Sequence, residues 1–310
     1  MQQFARNTPN RAQLSSLAEA VAAQAQPKWL LVDQAIVEST RSVRLAQTLG
    51  WKSHSAFEGS ELNSFGMSGP SLHEVPPLGA ADLSEALVQW AAIEPTAAGL
   101  SMICSEATPA ELKSTLAYLA LTKVEGDMRL HCRCADVRVL PNLLPLLIGN
   151  QAARVASAVQ SWWWLYALGS TSSWPAGVRN LQSGTTDDAE HLQLNSTQFS
   201  RMMDASEPDI MFALLVDKTP EVVPEINRGA FRGKLARILA TASRYSVAQA
   251  PDRLQFIVLS LSCGESFHEH PELRDTWRAV RERGASLAKE MEAWSDELWT
   301  SLEDLNKALP

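Results

Sequence analysis

The sequence predicts a fold in two parts, an N-terminal α/β lobe with a mixed sheet and flanking helices, and an all-α C-terminal lobe. Three observations lead to this prediction. Apolar strand-like runs alternate with capped helical segments up to about residue 150. A run of three tryptophans and a segment rich in Gly, Ser, Thr and Asp then follow. From Ser196 onward the apolar residues recur at helical spacing, with prolines between segments.

These changes of pattern divide the chain into four expected parts. They are an N-terminal helical extension at residues 1–27, an α/β domain at 28–150, a junction with the Trp run and a flexible loop at 151–195, and a helical lobe at 196–310.

Within the α/β domain, strands and helices are predicted to alternate. In order, we expect a strand at 29–33, a helix at 36–49, a short strand at 71–75, a helix from 82, a strand at 98–104, a helix at 109–122, a strand at 128–135 and a helix at 137–148. The clearest start signal is Thr108-Pro109-Ala110-Glu111, which combines an N-cap, a proline at the first helical position and a reciprocal Glu. Asp136 is expected to cap the last helix of this domain.

The C-terminal lobe is predicted to consist of helices separated by prolines. The expected helices cover 196–204, 207–217, 220–244, 251–263 and 271–308. The last one carries large apolar residues at helical spacing among many charged residues.

The composition argues against several classes of function. The net charge is −8, which argues against non-specific binding to nucleic acid or to an anionic membrane. The first residues lack the apolar segment of a secretory signal, and no apolar run is long enough to span a bilayer. We therefore expect a soluble, cytoplasmic protein.

No residue pattern predicts catalysis or a bound metal. His131-Cys132-Arg133-Cys134 has a one-residue gap and lacks the second ligand pair of a zinc site. His268-Glu269-His270 is interpreted as a surface loop before the last helix. The chain contains no Gly-x-Ser-x-Gly, P-loop or G-x-G-x-x-G motif. We expect no cofactor, no metal, no enzymatic activity and four reduced cysteines in the core.

Tryptophans and arginines are the candidate binding residues. Trp162, Trp163 and Trp164 lie in a predicted strand, where successive side chains point to opposite faces. They are either an exposed platform for a partner or packing that joins the two lobes. Arg133 and Arg138 either contact a partner or pair with Asp136.

Several segments of residues 28–150 resemble the adaptor/chaperone proteins of the bacterial type VI secretion system. The strand motif is Leu30-Leu31-Val32-Asp33-Gln34-Ala35, and a later element is Ser55-Ala56-Phe57-Glu58-Gly59-Ser60. Two further matches are Gly69-Pro70-Ser71-Leu72 and the hallmark segment, Cys132-Arg133-Cys134-Ala135-Asp136-Val137-Arg138-Val139-Leu140. The hallmark keeps the family's Arg, Asp, Arg and Val-Leu, and replaces its two aromatic residues, its Tyr and its Pro.

The resemblance implies a cytoplasmic protein that binds a toxic effector, stabilises it and helps to load it onto a VgrG-type spike, without catalysis. It adds Phe57 to the candidate partner-binding residues. It marks Asp33, Gly59, Gly69, Pro70 and Asp136 as residues of the structural motif. Two alternatives remain at this point, a hydrolase whose site is assembled from distant residues, and an immunity or scaffold protein.

Overall fold

The computed structural model describes residues 4–124, 128–174 and 189–307. Contacts between these residues divide the chain into two compact units. The first unit comprises residues 6–206, and the second comprises residues 4–5 with 207–307. The predicted fold class is confirmed, because strands and helices alternate in the N-terminal part and the C-terminal part is helical.

Nine strands occur in the described part of the first unit. They are β1 Lys28–Val32, β2 Lys52–Ser55, β3 Ser71–Val75, β4 Leu100–Cys104, β5 Leu121–Val124, β6 Met128–His131, β7 Ser161–Leu165, β8 Thr171–Trp174 and β9 Leu192–Leu194. Six form a sheet in the order β2-β3-β1-β4-β7-β8, with antiparallel pairs throughout. A second sheet has the order β6-β5-β9, in which β5 pairs parallel with β9.

Helices cover both faces of the larger sheet. They are α1 Arg11–Ala22, α2 Ser39–Thr48, α3 Ala80–Ile93, α4 Pro109–Ala120, α5 Leu140–Leu143 and α6 Asn150–Ala158. Apolar residues of α1 and α3 belong to one core cluster, and those of α4 and α6 to another. The predicted cap of α4 is confirmed, because the Glu111 N–H donates to Thr108 Oγ1 while the Thr108 N–H donates to the Glu111 carboxylate.

Alternation along the strands separates the two core clusters. In β1, Leu31 packs into the cluster on the α4 face, whereas Leu30 and Val32 pack into the cluster on the α1 face. Both faces of this strand are therefore buried, which explains its continuous apolar sequence.

The hallmark segment departs from the predicted elements. The strand predicted over 128–135 ends at His131, and the continuous helix predicted over 137–148 is replaced by two short helical segments. Turns lead instead into the short helix α5 and a 3₁₀ helix at Leu144–Leu146. Pro141 and Pro145 explain the difference, because each lacks a backbone N–H and limits the preceding residue.

The expected junction at 151–195 is part of the first unit wherever it is described. Both β7 and β8 belong to the six-stranded sheet, and β9 pairs with β5. Strand β8 lies within residues 169–191, the segment rich in Gly, Ser, Thr and Asp that was predicted to be a loop. Most of the remainder of that loop, residues 175–188, lies outside the described residues.

Helix α7, Ser196–Lys218, contains the division between the units and replaces two predicted helices. The second unit continues with α8 Arg228–Arg244, α9 Ala250–Ser262, α10 Arg274–Arg283, α11 Leu287–Met291 and α12 Asp296–Lys307. The helix predicted over 271–308 is thus divided into three, and Gly284 ends the first of them with a φ of +62°. Among the described helices, none is long and apolar enough to cross a membrane.

Candidate partner-binding face

Asp33 joins the end of β1 to the hallmark segment. Its side chain is buried, and its Oδ1 accepts a hydrogen bond from the Ala35 N–H at 2.9 Å. Arg133 donates from Nη2 and Nε to Asp33 Oδ2, at 2.9 and 3.3 Å. These bonds connect residues that are 100 positions apart in the sequence.

Asp136 holds the turn that follows. Its carboxylate accepts the Arg138 N–H at 2.9 Å and takes the Arg138 guanidinium in a two-point contact, with Nη2 2.6 Å from Oδ2. Arg133 Nη2 lies 3.8 Å from the same Oδ2. The prediction that Asp136 is a helix N-cap is wrong, because α5 begins after Val139 and has no side-chain cap. Asp136 stabilises an Asx-type turn instead.

Burial and charge oppose each other at Asp33. Desolvation raises the pKa of the Asp33 carboxyl, and the Arg133 guanidinium acts in the other direction with a smaller effect. Arg133 and Arg138 keep 35% and 24% of their side chains exposed. The two aspartates are therefore structural, whereas the arginines reach the surface beside them.

The Ser55–Ser60 element forms a turn around a buried ring. Phe57 is 2% exposed, and its ring lies 5.9 Å from the His131 ring and 6.4 Å from that of Phe65. Phe65 is 40% exposed and its ring lies 4.6 Å from that of His131. Phe57 is therefore buried beneath this surface. Phe65 is the aromatic residue that is exposed to solvent there, and it was not among the residues predicted from the sequence.

The three motif residues Gly59, Gly69 and Pro70 shape this turn. Gly59 has a φ of +81°, a conformation that side chains with a Cβ rarely adopt. A Cβ on Gly69 would lie 3.2 Å from Phe57 Cδ2, so a larger residue there would displace the ring. The Pro70 carbonyl accepts the Ala56 N–H at 2.9 Å.

The tryptophan run forms β7, as predicted. Trp162 and Trp164 are 0% and 2% exposed and pack on the α4 face of the sheet, while Trp163 is half-buried on the other face. The Trp162 Nε1–H donates to Ser101 Oγ at 3.0 Å. This placement favours packing within the first unit for Trp162 and Trp164.

Two cavities adjoin the turn, and Glu58 lines both. The larger, about 800 Å³, is also lined by Gly59, Glu61, Lys113, Tyr118, Arg154 and His191. The smaller, about 600 Å³, is lined mainly by apolar surface, and its residues include Gln34, Val43, His54, Gly69, Pro70 and Ser71. The motif residues therefore border concave surface on two sides.

A serine–histidine cluster lies beneath the smaller cavity. His73 is fully buried, with Nδ1 2.8 Å from Ser53 Oγ and Nε2 2.8 Å from Ser71 Oγ. Burial lowers the pKa of His73 to about 4. It is a weak base near neutral pH, and no carboxylate orients it as in a catalytic triad, because both ring nitrogens contact serines.

The cysteines are unpaired and buried, as predicted. Burial raises the pKa of Cys132 to about 12 and raises that of Cys134 as well. The thiolate form needed for metal binding or nucleophilic attack is therefore disfavoured.

The loop prediction for residues 268–270 needs correction, because His268 is buried and contacts the Tyr245 ring, with 4.8 Å between centroids.

Within the described residues, one group of side chains has the spacing of metal ligands. Atoms of Glu61, Glu190 and His191 all lie within 4.8 Å of one another at the larger cavity. This group is not apparent from the sequence, because Glu61 is far from the other two residues along the chain. Glu190 and His191 directly precede β9, and the fold places His191 Nε2 3.6 Å from Glu61 Oε1.

The first unit thus combines an α/β sheet with a buried Asp–Arg network and a glycine-shaped turn beside two cavities. Residues 28–154 match the model of a protein family described as a domain of unknown function (DUF4123). The match runs from β1 into α6 and includes the whole Asp–Arg network. That family is associated with adaptors of type VI secretion effectors. No curated protein and no solved structure matches the chain.

Proposed function

We propose that the protein is an adaptor of type VI secretion that acts in the cytoplasm. It binds a cognate effector, stabilises it and helps to load it onto a VgrG-type spike. The observation that carries this proposal is the family match over residues 28–154, which contains all the motif residues named above.

The arrangement of the face supports binding of a protein segment. Effector segments that need a chaperone expose apolar surface, and the receiving surface must offer apolar area at low entropic cost. Phe65 and Val43 are each 40% exposed, and Val43 lines the smaller cavity. The Arg133 and Arg138 side chains supply charge nearby, and both are already oriented by aspartates.

The chemistry of the same face supports action without catalysis. The His73 imidazole is buried and has a pKa of about 4. Thiol groups are buried, and Asp33 and Asp136 are paired with arginines. These side chains are all buried, so none has the access to solvent and substrate that general acid–base or nucleophilic catalysis requires.

Co-expression with neighbouring gene products tests the proposal. The untagged protein should co-purify with an effector encoded beside its own gene, and the effector yield should fall when the adaptor is omitted. An effector from an unrelated cluster is the control. Addition of the co-encoded spike protein should give a ternary complex in size-exclusion chromatography.

Three outcomes would contradict the proposal. They are no complex with any neighbouring gene product, an effector that is equally soluble alone, and neutralisation of the toxin without contact to the spike. The last outcome would indicate an immunity protein.

A further inference from the structure

We propose that Glu61, Glu190 and His191 form a binding site for a divalent transition-metal ion such as Zn²⁺, at the wall of the larger cavity. The site is separate from the Asp–Arg network and does not depend on the proposed adaptor function.

The orientation of His191 suits a metal ligand. The residue is 4% exposed, and its Nδ1 is buried without a hydrogen-bond partner among the described residues. Its Nε2 lies 3.6 Å from Glu61 Oε1 and 3.9 Å from Glu190 Oε2. These distances are too long for hydrogen bonds. The Nε2 atom of this buried imidazole therefore faces two carboxylates, which suits a cation bound between the three side chains, whereas Nδ1 lies on the other side of the ring.

The spacing suits one ion. Zinc binds imidazole nitrogen and carboxylate oxygen at about 2.0–2.2 Å, so two ligand atoms on a tetrahedral ion lie roughly 3.4 Å apart. The two distances from His191 Nε2 exceed this value by only a few tenths of an ångström. Small side-chain rotations of the glutamates close the difference, because their side chains are 49% and 78% exposed.

The backbone around the three ligands is held in place. Glu61 begins a 3₁₀ helix, Glu61–Ser68, whose Leu62 N–H donates to the capping Ser60 Oγ at 3.2 Å. His191 directly precedes β9, and the Arg154 guanidinium donates to the Ala189 carbonyl just before Glu190. The ligands therefore come from two anchored segments.

Neighbouring cations do not occupy the same position. The Lys113 ammonium lies 2.5 Å from Glu58, on the same cavity but outside the cluster. Arg129 lies 3.7 Å from Glu61 Oε2, the oxygen that does not face His191. This pair is exposed on both sides and is easily replaced by water.

The donor set indicates the class of metal. One imidazole and two carboxylates suit zinc and other first-row transition metals, whereas Ca²⁺ and Mg²⁺ prefer oxygen ligands alone. Water from the cavity would complete the coordination. Because the ion would connect residue 61 with residues 190 and 191, its binding should stabilise the fold.

Zinc titration of the untagged full-length protein, freed of metal with a chelator, tests this site. Calorimetry should show one zinc ion per chain and a rise in melting temperature. Glu61→Gln and Glu190→Gln should each weaken zinc binding at least about tenfold, and both variants should fold because the replaced side chains are exposed. Glu58→Gln is the matched control, since Glu58 lines the same cavity without belonging to the cluster, and it should bind zinc like the parent.

Absence of saturable zinc binding to the folded parent protein would overturn the proposal. Equal affinity in the parent and in both cluster variants would do so as well, because the ion would then lie elsewhere. Tighter binding of Ca²⁺ or Mg²⁺ than of zinc would contradict the assigned class of metal.

Discussion

Two regions of the first unit, the Asp–Arg network and the rim of the two cavities, differ in burial and in the role that we expect for them. The network residues Asp33 and Asp136 are 4% and 1% exposed and saturated with hydrogen bonds. At the rim, Phe65 is 40% exposed, and Glu58 and Glu190 are exposed as well. Asp33 and Asp136, which carry the resemblance, are thus part of the scaffold, whereas Phe65 and Glu190 are exposed at the rim and lie outside the motif segments.

Stability should therefore depend mainly on the buried residues, and binding mainly on the rim. A substitution at a buried residue leaves a cavity or an unpaired charge, whereas a substitution at the rim changes only solvated surface.

The largest effect is expected for Trp162→Ala. Its indole is fully buried and donates to Ser101, so removal should lower the free energy of unfolding by about 3–5 kcal/mol. Trp163→Ala, at the half-buried neighbour, should cost much less. Urea denaturation measures both. If Trp162→Ala does not fold, Trp162→Phe should still show the same ranking. Equal costs at both positions would contradict the assignment of Trp162 to the core.

The second effect concerns pH and His73. Its pKa falls from 6.5 to about 4 in the fold, so folding favours the neutral imidazole. The stabilisation is fully present above pH 6.5 and is lost as the pH falls towards about 4. The loss amounts to about 3 kcal/mol.

His73→Gln isolates this contribution, because glutamine does not titrate. The difference in unfolding free energy between parent and variant at about pH 8 is the reference. It should shrink steadily as the pH falls from 6.5 to about 4. Asp33, whose pKa is raised, acts in the opposite direction but is common to both proteins. A difference that is independent of pH would show that His73 is not held neutral.

A smaller loss, about 2 kcal/mol, is expected for Asp136→Asn. Asparagine keeps the acceptor for the Arg138 N–H but removes the carboxylate that pairs with the Arg138 guanidinium, whereas Arg133 keeps its bonds to Asp33. Both arginines can turn partly to water, which limits the cost. Asp275→Asn is the control, because the Asp275–Arg278 pair is exposed and should contribute less than about 1 kcal/mol. Equal losses in thermal unfolding would show that the burial of Asp136 has no consequence.

Patterns that depend on neighbours in the sequence predicted this fold well. The apolar run of β1, the tryptophan strand and the capping box of α4 are each specified by a few adjacent residues, and the structure has all three. Asp136 shows the limit of such patterns. The same carboxylate can cap a helix or close a turn, and prolines at 141 and 145 decide between them.

The candidate site was less predictable, because its geometry depends on contacts across the chain. Arg133 and Asp33 are identifiable as motif residues, but not as a pair separated by 100 positions. The solvent exposure of a side chain is equally difficult to predict from the sequence. Phe57 and Phe65 are the same residue type and their ring centroids lie 6.4 Å apart, yet Phe57 is 2% exposed and Phe65 is 40% exposed.

The smallest effect on stability, and the most informative effect on function, is expected for Phe65→Asp. The ring is 40% exposed, and its contacts with Phe57 and His131 leave one side open. Unfolding free energy should therefore change by no more than about 1 kcal/mol. If the cavity rim receives the effector, loss of this aromatic anchor should weaken effector binding by roughly 2 kcal/mol, or about thirtyfold.

Ile226→Asp removes an even more exposed apolar side chain from the helical unit, at 75% exposure, and should leave effector affinity unchanged. Calorimetric titration of the purified effector into the parent and both variants separates the possibilities, with circular dichroism as the check on folding. An effector that binds Phe65→Asp as tightly as the parent would place its contact surface away from this rim, even if the adaptor function itself is correct.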